Sequence, residues 1–357
     1  MNAPLITLLE ESGLTGHGGA AFSTATKVRA AHEHGAALIV NACDGELGAA
    51  KDGWVVAHHL EELLAGARLL APGPRPRIRY AAHRGSAAEA TLRGAGLDVL
   101  EVPARYVSSE ETSLVSLANG GLARPMTKRA PFVQGGRDSG GRRVPATVVL
   151  NAETVWRVAQ VTDRGAGWFR SHGTPAEPGP RLVAVGGAVG RHVVVEAESG
   201  TSFHDLFAAA GGVHQGVSTV LVGGLGGGFL QAGEAAARTW SGADLAPLGL
   251  PLGPGVVTAV DPTPRLVDVV AEQLRWAAGE SAGQCGPCMF GLPALAEAWS
   301  AYARGERSAR TAIERRIALL PDRGACRFPD GVARYAASAL RVLDLTAATR
   351  PRTGTTR

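Results

Sequence analysis

The sequence predicts a parallel α/β region, then a small α+β module, then a helical C-terminal region. Three observations carry this reading. Up to about residue 165, apolar runs of strand length alternate with helix-periodic stretches. Beyond a Gly/Pro-rich break, two valine-rich runs flank Gly186-Gly187. From Thr263 apolar stripes recur at helical spacing nearly to the end.

In the first region residues 36–40 (AALIV) read as a buried strand and 59–70 as a helix. Residues 76–82 return to strand. Residues 87–93 read as a helix with Ser86 as N-cap and Gly94 as its stop. Residues 97–102 and 147–150 are further strands. Residues 173–180, rich in Gly and Pro, read as a linker. In the module, 182–185 and 192–195 read as a hairpin. Residues 202–210 read as a helix capped by Thr201 or Ser202, and 218–222 as a third strand. The last region shows the stripes Val267, Val270, Leu274, Ala278; Leu292, Leu295, Ala298, Trp299; Ile313, Ile317, Leu320; and Ala333, Ala337, Leu340, Leu343. They predict a small helical bundle. The expected domains are 1–175, 176–262 and 263–345, with 346–357 as a disordered tail.

Composition excludes several classes. A net charge of +4 with scattered Lys and Arg argues against a nucleic-acid surface. No stretch approaches the ~18 apolar residues a membrane span needs. Residues 1–9 lack the basic start of a signal peptide. Four cysteines in 357 residues are no disulfide scaffold, and reduced thiols fit a cytoplasmic protein.

The chemistry concentrates in a few motifs. Gly16-His17-Gly18-Gly19-Ala20-Ala21-Phe22-Ser23-Thr24-Ala25-Thr26-Lys27 is a glycine loop opening a helix. Such a loop lets backbone N–H groups approach an anion, and Lys27 reaches toward the same charge. It follows a helical stretch rather than a strand, so as a dinucleotide fingerprint it is weak, and a plain loop competes. Asn41-Ala42-Cys43-Asp44-Gly45-Glu46 leaves the end of a strand, where parallel sheets place ligands; a surface turn is the alternative. Tyr106-Val107-Ser108-Ser109-Glu110-Glu111-Thr112 opens a helix, where acidic residues also simply match the helix dipole. Asn151-Ala152-Glu153-Thr154 ends another strand. Finally, Glu280-Ser281-Ala282-Gly283-Gln284-Cys285-Gly286-Pro287-Cys288 and the distant Cys326 suggest a thiolate metal site.

In this order the motifs resemble the NADH-binding flavoprotein subunit of respiratory complex I and related diaphorase subunits. That family's pattern is G-R-G-G-A-G-F-P-T-G-x-K, N-A-D-E-x-E-P-G, G-E-E-T, V-N-N-x-E-T and E-S-C-G-x-C-x-P-C-R with one late cysteine. The resemblance spans about residues 12–343. It implies a Rossmann-like domain for FMN, a β-grasp module of the soluble-ligand-binding type and a helical bundle with an Fe–S site. By position it places Gly16, Gly18, Gly19 and Lys27 on the FMN phosphate. Asn41, Tyr106, Glu110, Asn151 and Thr154 would line the flavin. Phe22 and the catalytic pair Glu46 and Glu111 would face NAD(P)H. Lys128 or Arg129, with Phe132, would close the nucleotide pocket. Cys285, Cys288 and Cys326 would ligate the cluster. The implied activity is an NADH dehydrogenase-like FMN oxidoreductase, its partner a ferredoxin-like or other redox protein subunit.

The departures are specific. Ala282 stands where the family has its first cluster cysteine, which leaves a 4Fe-4S cluster with three Cys ligands, a 3Fe-4S cluster, or a degenerate site with no cluster. Cys43 replaces an Asp; lying in another domain's motif, it reads as a free buried thiol rather than a fourth ligand. Asp44, Ser109, Leu150 and His17 also differ, and no aromatic follows Lys27. These changes motivate a second reading, a non-catalytic electron-transfer or scaffold subunit that has lost NAD binding, with or without loss of the cluster.

Overall fold

The computed structural model describes residues 3–74, 76–138 and 140–349. α1 (Ala3–Ser12) and α2 (Thr24–His34) flank the glycine loop. Ser23 caps α2 by accepting the Thr26 N–H, and Gly35 (φ 58°) ends it. There follow β1 (Ala37–Asn41), α3 (Lys51–His58), α4 (Leu60–Leu70), β2 (Ile78–His83), α5 (Ala87–Gly94) and β3 (Val99–Val102). Ser86 caps α5 as expected, but Gly94 lies inside the helix and the chain reverses at Gly96 (φ 72°). α6 (Glu111–Ala118), a short hairpin of β4 (Gly136–Arg137) and β5 (Arg143–Val144), β6 (Thr147–Asn151) and α7 (Ala152–Arg170) complete this unit.

β1, β2, β3 and β6 form an all-parallel sheet in the order β3-β2-β1-β6. Both faces are covered, so the central runs of β1 and β6 are buried without alternation. Strand order reverses between β1 and β6, and Asn41 and Asn151 are register partners at their C-terminal ends. A crevice opens at such a reversal.

α4 and α7 cross closely at Gly66, where a Cβ would meet Val155 O at 2.1 Å. In an open helix Gly→Ala would gain about 1 kcal/mol. Here the obstacle is backbone, and overpacking costs about 1–3 kcal/mol. We therefore expect Gly66→Ala to lower the denaturation midpoint; a raised midpoint would contradict this packing.

The middle unit contains β7 (Pro180–Gly187), β8 (Val193–Glu198), β9 (Thr201–Ser202), α8 (Phe203–Ala209), β10 (Thr219–Val222), β11 (Gly228–Gln231), α9 (Ala232–Ala236), β12 (Thr239–Trp240), α10 (Gly242–Leu245) and β13 (Val256–Ala259). Its sheet runs β11-β10-β13-β7-β8, antiparallel except for β13 beside β7. The expected hairpin is β7–β8, and Ser202 caps α8 through the Asp205 N–H. The core gathers Phe203, Leu206 and Trp240 under the sheet.

The C-terminal region comprises α11 (Leu266–Glu280), a π-helical turn (Pro287–Gly291), α12 (Leu292–Ala303), α13 (Ala309–Leu319) and α14 (Phe328–Thr349). These helices pack around Trp299, fully buried, with Nε1 donating to Val267 O at 3.0 Å. The buried face of α11 is Val270, Ala271, Leu274 and Ala277, with Val267 and Ala278 at its border. In α14 Ala333 and Leu340 are buried as expected and Leu343 borders the core, Ala337 is exposed, and Val332, Tyr335, Ala336 and Ala339 complete the buried face. α14 continues to Thr349, so 346–349 are helical and not part of a disordered tail, while 350–357 lie outside the described residues. Among the described residues no helix is long and apolar enough to cross a membrane.

Candidate functional site

A cleft of about 590 Å³ opens where the sheet order reverses. One wall is the glycine loop, with Gly18 and Gly19, beside the strand ends Asn41 and Asn151. A second carries Glu46, Tyr106 and Glu110. The middle unit adds Gly223, Gly226 and Gly253, and the helical region adds Cys326, Phe328 and Asp330. The cleft is thus bounded by all parts of the chain.

Glycine is required at the loop. Gly19 has φ 103°, and a Cβ there would lie 3.6 Å from Gly253. Gly16 N–H donates to Phe22 O at 2.8 Å, closing the loop into a lobe. Beneath it, Asn151 caps α7 by accepting the Thr154 N–H (3.3 Å), and Thr154 Oγ1 accepts the His17 N–H (2.9 Å). The Asn151 Nδ2 donor is buried without a partner while the residue lines the cleft. A buried donor left open at a cleft suits an acceptor on a bound molecule.

Asn41 is spent locally: its Nδ2 donates to Ser109 O (3.0 Å), and its Oδ1 accepts the Cys43 N–H (3.1 Å). Glu46 accepts from Tyr106 OH (2.5 Å), Leu47 N (2.7 Å), Leu225 N (2.7 Å) and Gly226 N (3.2 Å). It ties the first unit to the second. Burial pushes its pKa up, against these donors. Burial and Glu46 together push Tyr106 well above the usual phenol range. The Tyr106 ring lies 4.9 Å from that of Phe328. Glu110 caps α6, accepting from Thr112 N (2.8 Å) and Ser113 N (3.1 Å).

The remaining expected residues lie outside the cleft lining. Lys27 is largely buried and donates to Val149 O at 3.3 Å; burial lowers its pKa while Glu111 raises it. Glu111 and Lys128 pair with each other at 2.5 Å. Phe22 is 52% exposed on the lobe, and Thr154 is buried under it. Arg129 is exposed and Phe132 is buried in the core with Cys43. Burial raises the Cys43 thiol pKa far above its ordinary value.

Sequence reading missed a buried ionic network behind the cleft. Lys51 Nζ lies 2.8 Å from Asp52 and 3.1 Å from Glu153, all three buried. His17 Nδ1 lies 2.9 Å from Glu153, which also accepts the Leu182 N–H at 2.6 Å. Arg157 and Arg181 are buried alongside. Burial works against the Lys51 charge, but Asp52, Glu153 and Asp44 hold its pKa up. Burial pushes Glu153 up, yet His17, Lys51 and Arg157 hold it well below the usual carboxylate range. Burial pushes His17 down to about 4. The only sequence signal was a Lys-Asp pair shortly after a ligand-type loop, which a solvated helix start explains equally well.

Asp44 (φ 48°) accepts the Asp52 N–H (2.9 Å) and Gly53 N–H (2.6 Å) and lines the cleft. Burial, reinforced by Asp52, pushes its pKa to about 6 from an ordinary 3.8. A raised carboxyl pKa costs the folded state stability as pH rises through that window. Asp44→Asn removes the cost. Relative to the unmodified chain, the variant should therefore gain about 2–3 kcal/mol between pH 4 and pH 7. Denaturant melts across that range check this; a pH-independent difference would contradict it.

Cys285, Cys288 and Cys326 pack in one apolar cluster with Ala282. Cys285 and Cys326 both lie within electrostatic reach of Cys288, and Cys285 within reach of Cys326. Among the described residues no three ligands converge on a single ion. A cubane asks for something else, because each thiolate binds a different iron. The donor set therefore fits an Fe–S cluster at three corners. Burial pushes Cys326 up to about 11, so the thiolate forms when a metal takes it. Cys326 also lines the main cleft.

Comparison with known proteins agrees with this geometry. A model described as the Nuo51 FMN-binding domain matches residues 9–160. One described as the NADH-ubiquinone oxidoreductase-F iron-sulfur binding region matches residues 268–344. The NADH-quinone oxidoreductase F 2 subunit of Rhizobium meliloti (strain 1021) is 29% identical over 320 residues, covering 81% of this chain and 74% of that protein. The F subunit of the same enzyme in Mycobacterium bovis (strain ATCC BAA-935 / AF2122/97) is 31% identical over 242 residues, covering 59% of this chain and 53% of that one. The structure of an NAD+-reducing [NiFe]-hydrogenase in the H2-reduced state superposes with a TM-score of 0.82 at 27% identity. That match covers 98% of this chain and 63% of the hydrogenase chain, so this chain spans less than two thirds of its length.

Proposed function

Because the chain belongs to the family of NADH-binding flavoprotein subunits of complex I and related diaphorases, we propose that it is an FMN oxidoreductase subunit moving electrons between NAD(P)H, FMN and an Fe–S cluster, and on to a protein partner. The observation that carries this reading is the position of Cys326, a cluster ligand by the family resemblance, in the wall of the same cleft as the glycine loop, Asn41 and Asn151.

We assign the units as an FMN/NADH-binding domain (1–175), a β-grasp module (176–262) and a helical bundle with the Fe–S site (263–345). Gly16, Gly18, Gly19 and Lys27 serve the phosphate end. Asn41, Tyr106, Glu110, Asn151 and Thr154 build the flavin floor, and the free Asn151 Nδ2 donates to an acceptor on the ring or its side chain. Phe22, Glu46, Glu111 and Lys128 serve the nicotinamide nucleotide. When bound, FMN accepts a hydride as an electron pair and releases electrons singly, which a cluster requires. Met289 and Phe290, 50% and 69% exposed beside Cys288, offer a surface for a ferredoxin-like or other redox subunit. A cytoplasmic setting accords with reduced thiols.

One observation favours the second reading, a subunit without NAD binding. Both Glu46 oxygens are occupied by protein donors, and Glu111 and Lys128 occupy each other. Anaerobic titration of the flavin-loaded protein separates the two. We expect NADH or NADPH to bleach the flavin absorbance; a loaded flavin that neither nucleotide bleaches would select the second reading.

A further inference from the structure

We propose that the cluster corner at Ala282 is an exchangeable iron position that faces its own surface pocket and accepts a small anionic ligand from solution. This rests on the Fe–S reading above and deepens it.

Ala282 has two neighbourhoods at once. It packs in the apolar cluster that holds Cys285, Cys288 and Cys326. It also lines a pocket of about 230 Å³ together with Ser108, Leu122, Arg124 and Ser281. A methyl group cannot ligate iron, so the position whose spacing would supply a fourth thiolate instead presents open space. The other cysteine cannot complete the set, because Cys43 is sealed in the core between the sheet and α6. The pocket is separate from the main cleft, sharing only Val107 with it. A ligand entering there would not compete with flavin or nucleotide.

The pocket is pinned at both ends. Glu280 accepts from Tyr106 N (2.8 Å) and Arg105 Nε (3.1 Å), and Gln284 Nε2 donates to Pro125 O. The Arg105 guanidinium is committed to Glu280 and Gly279 O. Arg124, exposed at the rim, is left to meet an incoming anion. The chemistry is ligand exchange. A thiolate or carboxylate lone pair forms a bond to iron, solvent leaves, and no oxidation state changes. A second anionic group on the ligand pairs with Arg124.

The probes are mercaptoacetate, which carries both groups, and 2-mercaptoethanol, which lacks the carboxylate. They are titrated into the reconstituted full chain under EPR of the reduced cluster. Iron content is followed separately during mild ferricyanide oxidation. We expect the unmodified chain to lose one iron per cluster and show a three-iron EPR signal, and Ala282→Cys to resist both. Mercaptoacetate should shift the spectrum at several-fold lower concentration than 2-mercaptoethanol, and Arg124→Ala should erase that difference. A cluster whose irons neither exchange nor respond to either thiol would overturn the proposal. So would equal potency of the two thiols, or a cluster found only in Ala282→Cys. Absence of a cluster from both proteins would instead refute the Fe–S reading beneath it.

Discussion

Lys51→Met should destabilise the protein by about 3–5 kcal/mol, the cost of breaking a buried ion pair from one side. Lys51 is 1% exposed and lies within 3.1 Å of both Asp52 and Glu153. Its removal leaves two buried carboxylates facing each other, with Asp44 a third nearby. Methionine fills a similar volume, so the loss is electrostatic rather than a cavity. The companion variant Lys51→Met/Asp52→Asn removes charge of both signs and should recover part of the loss, because neighbouring groups are non-additive. Denaturant midpoints for the single and double variants measure this. A single variant as stable as the unmodified chain would mean the network contributes nothing.

Cys326→Ser should abolish the Fe–S centre while sparing the flavin. Cys285 and Cys288 sit on one turn, so the third thiolate must come from the distant loop before α14. Two thiolates on one turn do not enclose a cubane, and a serine hydroxyl is a harder, weaker ligand. The side chain borders the cleft without carrying its glycine loop, so flavin retention separates the two cofactors. Iron, sulfide and flavin assays on the purified variant check it. Unchanged iron would place the cluster ligands elsewhere.

How much of this could be read from the sequence depended on whether local pattern or long-range packing makes the feature. β1 and β6 were legible because both faces are buried and the apolar run is continuous. Ser86 and Ser202 were legible because an N-cap is a contact within three residues. α3 was not, since its first turn carries Lys51 and Asp52, which a sequence presents as solvated. β11 and β13 were not, being four residues each among glycines and prolines. On α14 only Ala337 of the expected stripe turns outward, while its neighbour Ser338, a polar residue, is buried to accept the Phe229 N–H at 3.0 Å.

The site divides the same way. Asn41 and Asn151 stood out at strand ends, and the sheet register brings them side by side. Glu110 was read for flavin, with a match to the helix dipole as the alternative, and in the structure it caps α6. Gly223, Gly253 and Phe328 come to the cleft from other units, and no local signal marks them. Asp44, by contrast, stood in a motif already singled out, and its left-handed backbone (φ 48°) shows why a short polar residue suits that position.

The most direct test of the central claim, one cleft holding flavin beside a three-thiolate cluster, is cofactor content. Protein purified anaerobically, or reconstituted with FMN, iron and sulfide, should carry flavin together with a three- or four-iron cluster visible by EPR after reduction. A well-folded chain that takes up neither flavin nor iron would contradict the account.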